Sequence, residues 1–173
     1  MIHKFMFVRQ FLLLSLLSFS CLTVAEDLDS LPPVNIINST DLHHDGQLSQ
    51  RTQKPILILF SMQGCSYCHY VEEEHLKPML RNANYLSKVI IRRVMTDSYG
   101  DIIDFNGNPI SSQDLSTRYG AYLTPTVVFV DHQGNKLVPS IHGVRNTEFY
   151  GLDLDEGLDH SLLKIRKKLA ILQ

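Results

Sequence analysis

The run Pro55-Ile56-Leu57-Ile58-Leu59-Phe60 constrains this chain more than any other stretch of it. A short, continuous apolar segment fits a β-strand buried on both faces, and such a strand needs covering layers on both sides of its sheet. Thr126-Val127-Val128-Phe129-Val130 reads as another strand farther along. Segments of helical pattern separate these runs, so the expected class is α/β. Composition agrees: 173 residues, 44% hydrophobic and 20% charged, describe one globular domain and not a disordered chain. A formal charge of −2 argues against a strongly basic nucleic-acid binder.

The remaining elements follow from local signals. Thr40 to Gln53 reads as an exposed helix capped by Ser39 or Thr40, with sparse apolar positions at Leu42 and Leu48. Ser61 to Gly64 forms a turn, and the chain turns helical from Cys65. Pro78 is expected to stop or kink that helix, with Met79 to Leu86 as a second piece. Lys88 to Met95 alternates apolar and basic residues and reads as a strand. Thr96 to Pro109 reads as a long loop with a small hairpin around Asn106-Gly107. Ser111 or Ser112 caps a short helix through Tyr119, with Gly120 at its end. Asp131 to Asn135 is a hairpin turn, and Lys136 to His142 is the returning strand. The last helix is expected from about Asp155 to Leu172, with Leu158, Leu162, Ile165, Leu169 and Leu172 on one face. Acids at its start and Lys164, Arg166, Lys167 and Lys168 near its end complement the helix dipole.

The first residues have the layout of a secretory signal. Lys4 and Arg9 precede the apolar run Phe11 to Leu22, and Thr23-Val24-Ala25 offers a small-residue cleavage site. The run falls short of the ~20 residues that a spanning helix needs. An uncleaved anchor, or a lipid on Cys21, is the alternative reading of this segment. The expected organisation is a signal over residues 1–25, an N-terminal extension and helix over 26–54, and one domain over 55–173. Cleavage after Ala25 removes Cys21 and turns an odd count of three cysteines into one pair, Cys65 and Cys68. Export to the periplasm places that pair where disulfides persist.

Cys65-Ser66-Tyr67-Cys68 follows a buried strand and a turn, and it opens a helix. There the first thiol faces the unpaired N–H groups of the helix start, which stabilise a thiolate and lower its pKa from ~8.5. A thiolate attacks disulfides, and a second thiol three residues on can resolve the mixed disulfide. Cys65 is therefore the expected nucleophile and Cys68 the more buried, resolving thiol. A merely bracing disulfide is the plain alternative, but closing so small a loop stabilises little. His69 opens another: Cys65-Ser66-Tyr67-Cys68-His69 matches the covalent haem pattern, with Met79 or Met95 as a second axial ligand. A c-type electron carrier would follow from it.

Gly64-Cys65-Ser66-Tyr67-Cys68, the Thr124-Pro125-Thr126 junction before a strand, and the hairpin running to Gly143 together resemble the thioredoxin superfamily. The resemblance spans roughly Pro55 to Leu172. It is finest with exported thioredoxin-related proteins of SoxW type, through the Asp/Gly-rich insertion and Phe149-Tyr150-Gly151. It implies a thioredoxin fold, a central mixed β-sheet flanked by helices. It also implies that Pro125 is a cis-proline and that Thr124 pairs with an extended substrate. Tyr67, between the cysteines, is placed to shape substrate access, with a partly buried helix residue as the plain alternative. The implied function is reduction of protein disulfides, with protein thiol and disulfide substrates and a separate redox partner. No cofactor, metal or nucleic acid is expected, nor a membrane span after signal cleavage, and the chain is expected to be a monomer. A non-catalytic binding module on the same fold is a further alternative.

The chain also departs from the family pattern. Gly64 stands where thioredoxin has Trp, and Leu59 where it has a buried acid that helps to move the resolving cysteine's proton. Glu72, one helical turn after Cys68, is a substitute for that acid, although a solvated helix residue is the expected reading. His43-His44 reads as part of a surface loop and not a metal site. Asp153 to Gly157 resembles part of a calcium loop but lacks its distal Glu, and reads as helix-start acids.

Overall fold

The computed structural model describes residues 33–171, and the fold below is that of the compact unit Val34–Gln173, which is distinct from the unit Met1–Pro33. The expected signal over residues 1–25, most of the lead-in, and Leu172 lie outside the described residues. So does the side chain of Leu169. Among the described residues no helix is long and apolar enough to cross a membrane.

Strand β1 (Ile56–Ser61) is buried at every position. It runs between β2 (Ile90–Met95), parallel to it, and β5 (Thr126–Val130), antiparallel. With β6 (Ile141–His142) beside β5, the sheet order is β2-β1-β5-β6, a mixed sheet. The strand period of two divides the apolar run between two cores. Leu57 and Leu59 join Val127 and Phe129 on one face, and Ile56, Ile58 and Phe60 join Val128 and Val130 on the other. The first face is covered by α2 (Ser66–Val71), a π-helical stretch (Glu72–Leu76), α3 (Lys77–Arg81) and α6 (Tyr150–Ile171). Val71, Leu76, Met79, Tyr150, Leu154, Leu158 and Leu162 pack there. The second face is covered by α1 (Leu42–Thr52) through Leu42, and by α5 (Ser112–Arg118) and the turn after it through Leu115 and Tyr119. Each such fully buried apolar side chain contributes ~2 kcal/mol. That double covering is why the run has no polar alternation.

Several boundaries differ from expectation. The cap of α1 is Asp41, whose carboxylate accepts the His44 N–H at 2.8 Å, while the Ser39 hydroxyl donates to Asp45 at 2.6 Å. Pro78 does not stop the helix. The Lys77 N–H reaches back to the Glu72 carbonyl, so the turn is one residue wider, and Pro78 falls at the start of α3, where a missing N–H is tolerated. The chain breaks only at Asn82, which caps α4 (Ala83–Leu86). β3 (Asp101–Ile103) and β4 (Pro109–Ser111) form the small hairpin, and Ser111, not Ser112, caps α5. Of the expected return strand Lys136 to His142, only Ile141–His142 forms regular structure, with one bridge between Val130 and Lys136. Helix α6 begins at Tyr150 rather than near Asp155, because Tyr150 and Leu154 extend the apolar face by a further turn.

Candidate active site

β1 delivers the chain to one end of the sheet, and the turn Met62–Gly64 carries it into α2. Gly64 takes φ +70°, a conformation that favours glycine. The Gln63 N–H donates to the Asp97 carboxylate at 2.9 Å, tying this turn to the loop after β2. Cys65 then caps α2: its sulfur accepts the Cys68 N–H at 3.1 Å, and its carbonyl accepts the His69 N–H. Cys65 and Cys68 form a disulfide of 2.06 Å. The two sulfurs are not equivalent, because Cys65 is half-buried and Cys68 is 2% exposed.

A second segment meets the first here. The Thr124–Pro125 peptide bond is cis, and the Thr124 hydroxyl lies 3.6 Å from the Cys65 sulfur. The segment is braced on either side of Pro125. The Thr126 hydroxyl donates to the Leu123 carbonyl at 2.7 Å, and the Gly143 N–H donates to the Pro125 carbonyl at 2.8 Å. Exposed apolar side chains flank the meeting point: Met62 before Cys65, Tyr67 between the cysteines at 59% exposure, and Tyr122 and Leu123 before Thr124. The structure therefore brings Cys65, Cys68, Tyr67, Thr124 and Pro125 to one end of the sheet.

Glu72 overturns an expectation. It is not solvated but 8% exposed. One oxygen accepts from the Arg93 guanidinium at 2.6 Å, and the other lies 3.5 Å from the Ser61 hydroxyl. Its own N–H bonds to the Cys68 carbonyl, so the carboxylate sits one turn beyond the buried cysteine. Arg93 comes from β2 and is held in turn by Asn38 at 2.6 Å. A buried acid is thus present one helical turn after Cys68, supplied by the helix instead of by position 59 on the strand.

The other candidates lie apart. His69 is exposed on the outer side of α2, 3.8 Å from Glu73, whereas Met79 is in the core; the geometry does not bring these two haem-ligand candidates together. Met95, at the end of β2, pairs in register with Ser61 of β1. His43 and His44 stand on the first turn of α1 and not in a loop, with His43 against the Phe105 carbonyl at 3.0 Å. Asp155 accepts from the Tyr85 hydroxyl at 2.7 Å, a bond that pushes the phenol up to about 12. His75 packs between Tyr70 and Tyr150, and burial lowers its pKa. Sequence reasoning passed over Arg93, Asp97, Met62, Tyr122 and Leu123. The apolar pair Tyr122-Leu123 directly before Thr124-Pro125, in a loop, was the one available signal.

Fold and site together define a mixed-sheet α/β protein with a disulfide pair at the head of a helix. A family model described as a thioredoxin-like domain matches residues 42–149, and the chain belongs to that family. Its fold is the thioredoxin fold. No curated protein matches the sequence. Similar solved structures include Fasciola hepatica thioredoxin, 16% identical over 73% of this chain and 99% of that one, with a TM-score of 0.49. Mitochondrial thioredoxin 3 of Saccharomyces cerevisiae, in oxidized form, is 18% identical over 72% and 93%, with a TM-score of 0.46. A thioredoxin-fold protein from Helicobacter pylori is 22% identical over 69% and 86%, with a TM-score of 0.45.

Proposed function

We propose that this protein is an exported thiol–disulfide oxidoreductase that reduces disulfides of other proteins. One observation carries the reading: a half-exposed Cys65 is joined to a buried Cys68 at the head of a helix, with Thr124 against the reactive sulfur. In the dithiol form the Cys65 thiolate attacks a substrate disulfide, and one substrate sulfur leaves as a thiolate and takes up a proton. Cys68 then attacks the Cys65 sulfur, releasing the second substrate thiol and closing the Cys65–Cys68 disulfide. The substrate gains two electrons and two protons, and a dithiol partner restores the reduced pair.

The chain's own groups divide this work. The Cys68 N–H that donates to the Cys65 sulfur is placed to stabilise a thiolate there. The segment at Thr124 and Pro125 receives the substrate as an added strand, with Tyr67 bounding the approach. Glu72 is the base that takes the Cys68 proton as the mixed disulfide resolves, with Arg93 holding its carboxylate in place. Export is supported by the basic flank, the apolar run and the small residues before Glu26.

Insulin reduction with a small dithiol as electron source tests the assignment. Wild type is active and Cys65→Ser is silent, while Cys68→Ser accumulates a covalent adduct with substrate that is visible by mass spectrometry. Full activity in Cys65→Ser refutes the nucleophile. Expression in a bacterial host tests export: a periplasmic product beginning at Glu26 is the expected result.

A further inference from the structure

Beside Thr124 a cavity of about 450 Å³ opens between the turn after β1, the loop after β2 and α5. Thr124 lines it and also stands 3.6 Å from the Cys65 sulfur, so whatever enters belongs to a residue close to the substrate's own disulfide. The walls differ in kind. Met62, Tyr122 and Leu123 supply an exposed apolar side. The opposite side is polar, and its hydroxyl donors are already engaged. Thr96 donates to the Ser61 carbonyl at 3.2 Å, and Ser116 and Thr117 donate to the Gln113 carbonyl at 2.8 and 3.0 Å. The hydroxyls of these lining residues have their protons committed elsewhere and keep acceptor capacity only.

Asp97 is the one charged residue in this lining. One carboxylate oxygen accepts the Gln63 N–H at 2.9 Å, and the other has no hydrogen-bond partner among the described residues. No lysine, arginine or histidine lines the space. An acceptor-rich, negatively charged pocket with an apolar flank matches a side chain that has an apolar stem and a donor-only cationic head. Resting on the oxidoreductase reading above, we infer that this cavity receives a lysine or arginine side chain of the substrate protein, adjacent to the disulfide to be reduced. The methylene stem lies along Met62, Tyr122 and Leu123, and the head meets Asp97. An acidic substrate residue there meets repulsion from Asp97, and the side-chain donors left to it in the lining are the Gln113 amide and the Tyr122 hydroxyl at the rim.

The test uses the reduced protein and three disulfide-cyclised peptides that differ in one residue beside a cysteine: Lys, Ala or Glu. Acid quench and chromatography give the second-order rate constant of reduction. The Lys peptide is expected to react about fivefold faster than the Ala peptide, the scale of an exposed ion pair, and the Glu peptide more slowly than either. Added salt should shrink the spread. Asp97→Asn keeps an acceptor for the Gln63 N–H and should bring the Lys rate down to the Ala rate. Asp159→Asn, an equal charge change on α6, should leave the preference intact. Equal rates for the three peptides, or a Lys preference that survives in Asp97→Asn, overturns the pocket while reduction itself persists. Failure to reduce all three peptides and also hydroxyethyl disulfide overturns the oxidoreductase reading, and the pocket with it.

Discussion

The two ends of the central sheet handle their polar and apolar groups in opposite ways. At the end where β5 stops, Asp131 closes its hairpin turn by accepting the N–H groups of Gln133 at 2.9 Å and Asn135 at 3.0 Å. Asp104 does the same for Asn106 and Asn108, both at 2.9 Å, and also takes Arg118. The Tyr119 hydroxyl donates to the Gly134 carbonyl at 2.8 Å, and Phe105 lies against Gly134. At the other end, beyond Ser61, four apolar side chains stand in solvent around a half-exposed sulfur. Backbone groups that would otherwise be orphaned are satisfied at the first end by carboxylates of the same turns. Apolar surface is left uncovered at the second end, where the proposed reaction brings a substrate to Cys65. The lesson is a division of labour along one sheet: one end holds its turns closed, and the other carries the disulfide at which the proposed reaction takes place.

Glycine substitutions test that division most severely. A Cβ on Gly134 meets Phe105 Cδ2 at 2.5 Å and the Tyr119 oxygen at 2.7 Å, at φ +82°. Gly134→Ala should cost about 4 kcal/mol in a urea melt and leave the specific activity of the folded fraction unchanged. Gly64 has a similar φ but open space around it, so Gly64→Ala should cost only about 1 kcal/mol. Equal losses at the two sites would erase the contrast.

Glu72 sharpens the comparison from the other side, as a buried charge at the substrate end. Glu72→Gln leaves Arg93 without its counter-charge and should cost about 3 kcal/mol. Replacing both residues with Met should recover most of that stability. It should not recover the rate of mixed-disulfide resolution, followed by single-turnover quench across pH. If stability and rate recover together, Glu72 is a packing group and not the base.

The smallest effect lies in the acid limb of stability. Arg118 holds the Asp104 carboxyl below its usual range, helped by the Asn108 N–H. For Asp131, burial pushes upward, but hydrogen bonds from Asn135 and Gln133 and the charge of Lys168 outweigh it and leave the net shift downward. A carboxyl depressed in the folded state contributes stability that is complete above its unfolded value, about 4, and is lost as pH falls through its folded value. Asp131→Asn should therefore cost about 1 kcal/mol at pH 7 and progressively less toward pH 2, as read from urea melts at each pH. A cost independent of pH would show that the charge is immaterial.

How much of this was legible depended on how local each signal was. Ile56 to Phe60 and Thr126 to Val130 announced buried strands through apolar runs alone. Asp131 to Asn135, and Ser111 ahead of its helix, announced a turn and a cap through side chains acting on their own neighbours. Pro78 was legible as a disturbance of the helix but not as one that leaves the chain helical, since the wider turn before it carries no residue signature of its own. Tyr150 misled because the residues around it mix polarity, and only its contacts with the core reveal the helix start. Glu72 was legible as a helix residue but not as a buried one, since its partner Arg93 lies on a strand brought alongside by β1.

The sequence by itself determined the class of the fold and the pair of cysteines at a helix start. Both are properties of a few consecutive residues: an apolar run of strand length, a glycine turn, and thiols three apart. The helix-start setting already made Cys68 the more buried thiol, and the tertiary structure decided how completely it is covered. It also decided that the Thr124 hydroxyl stands 3.6 Å from the Cys65 sulfur, and that Glu72 pairs with Arg93 one helical turn after Cys68. The cavity beside Thr124, with its single carboxylate, was likewise its decision. These are relations between segments far apart in the chain, and they exist only once β1, β2 and β5 have paired and placed their ends side by side.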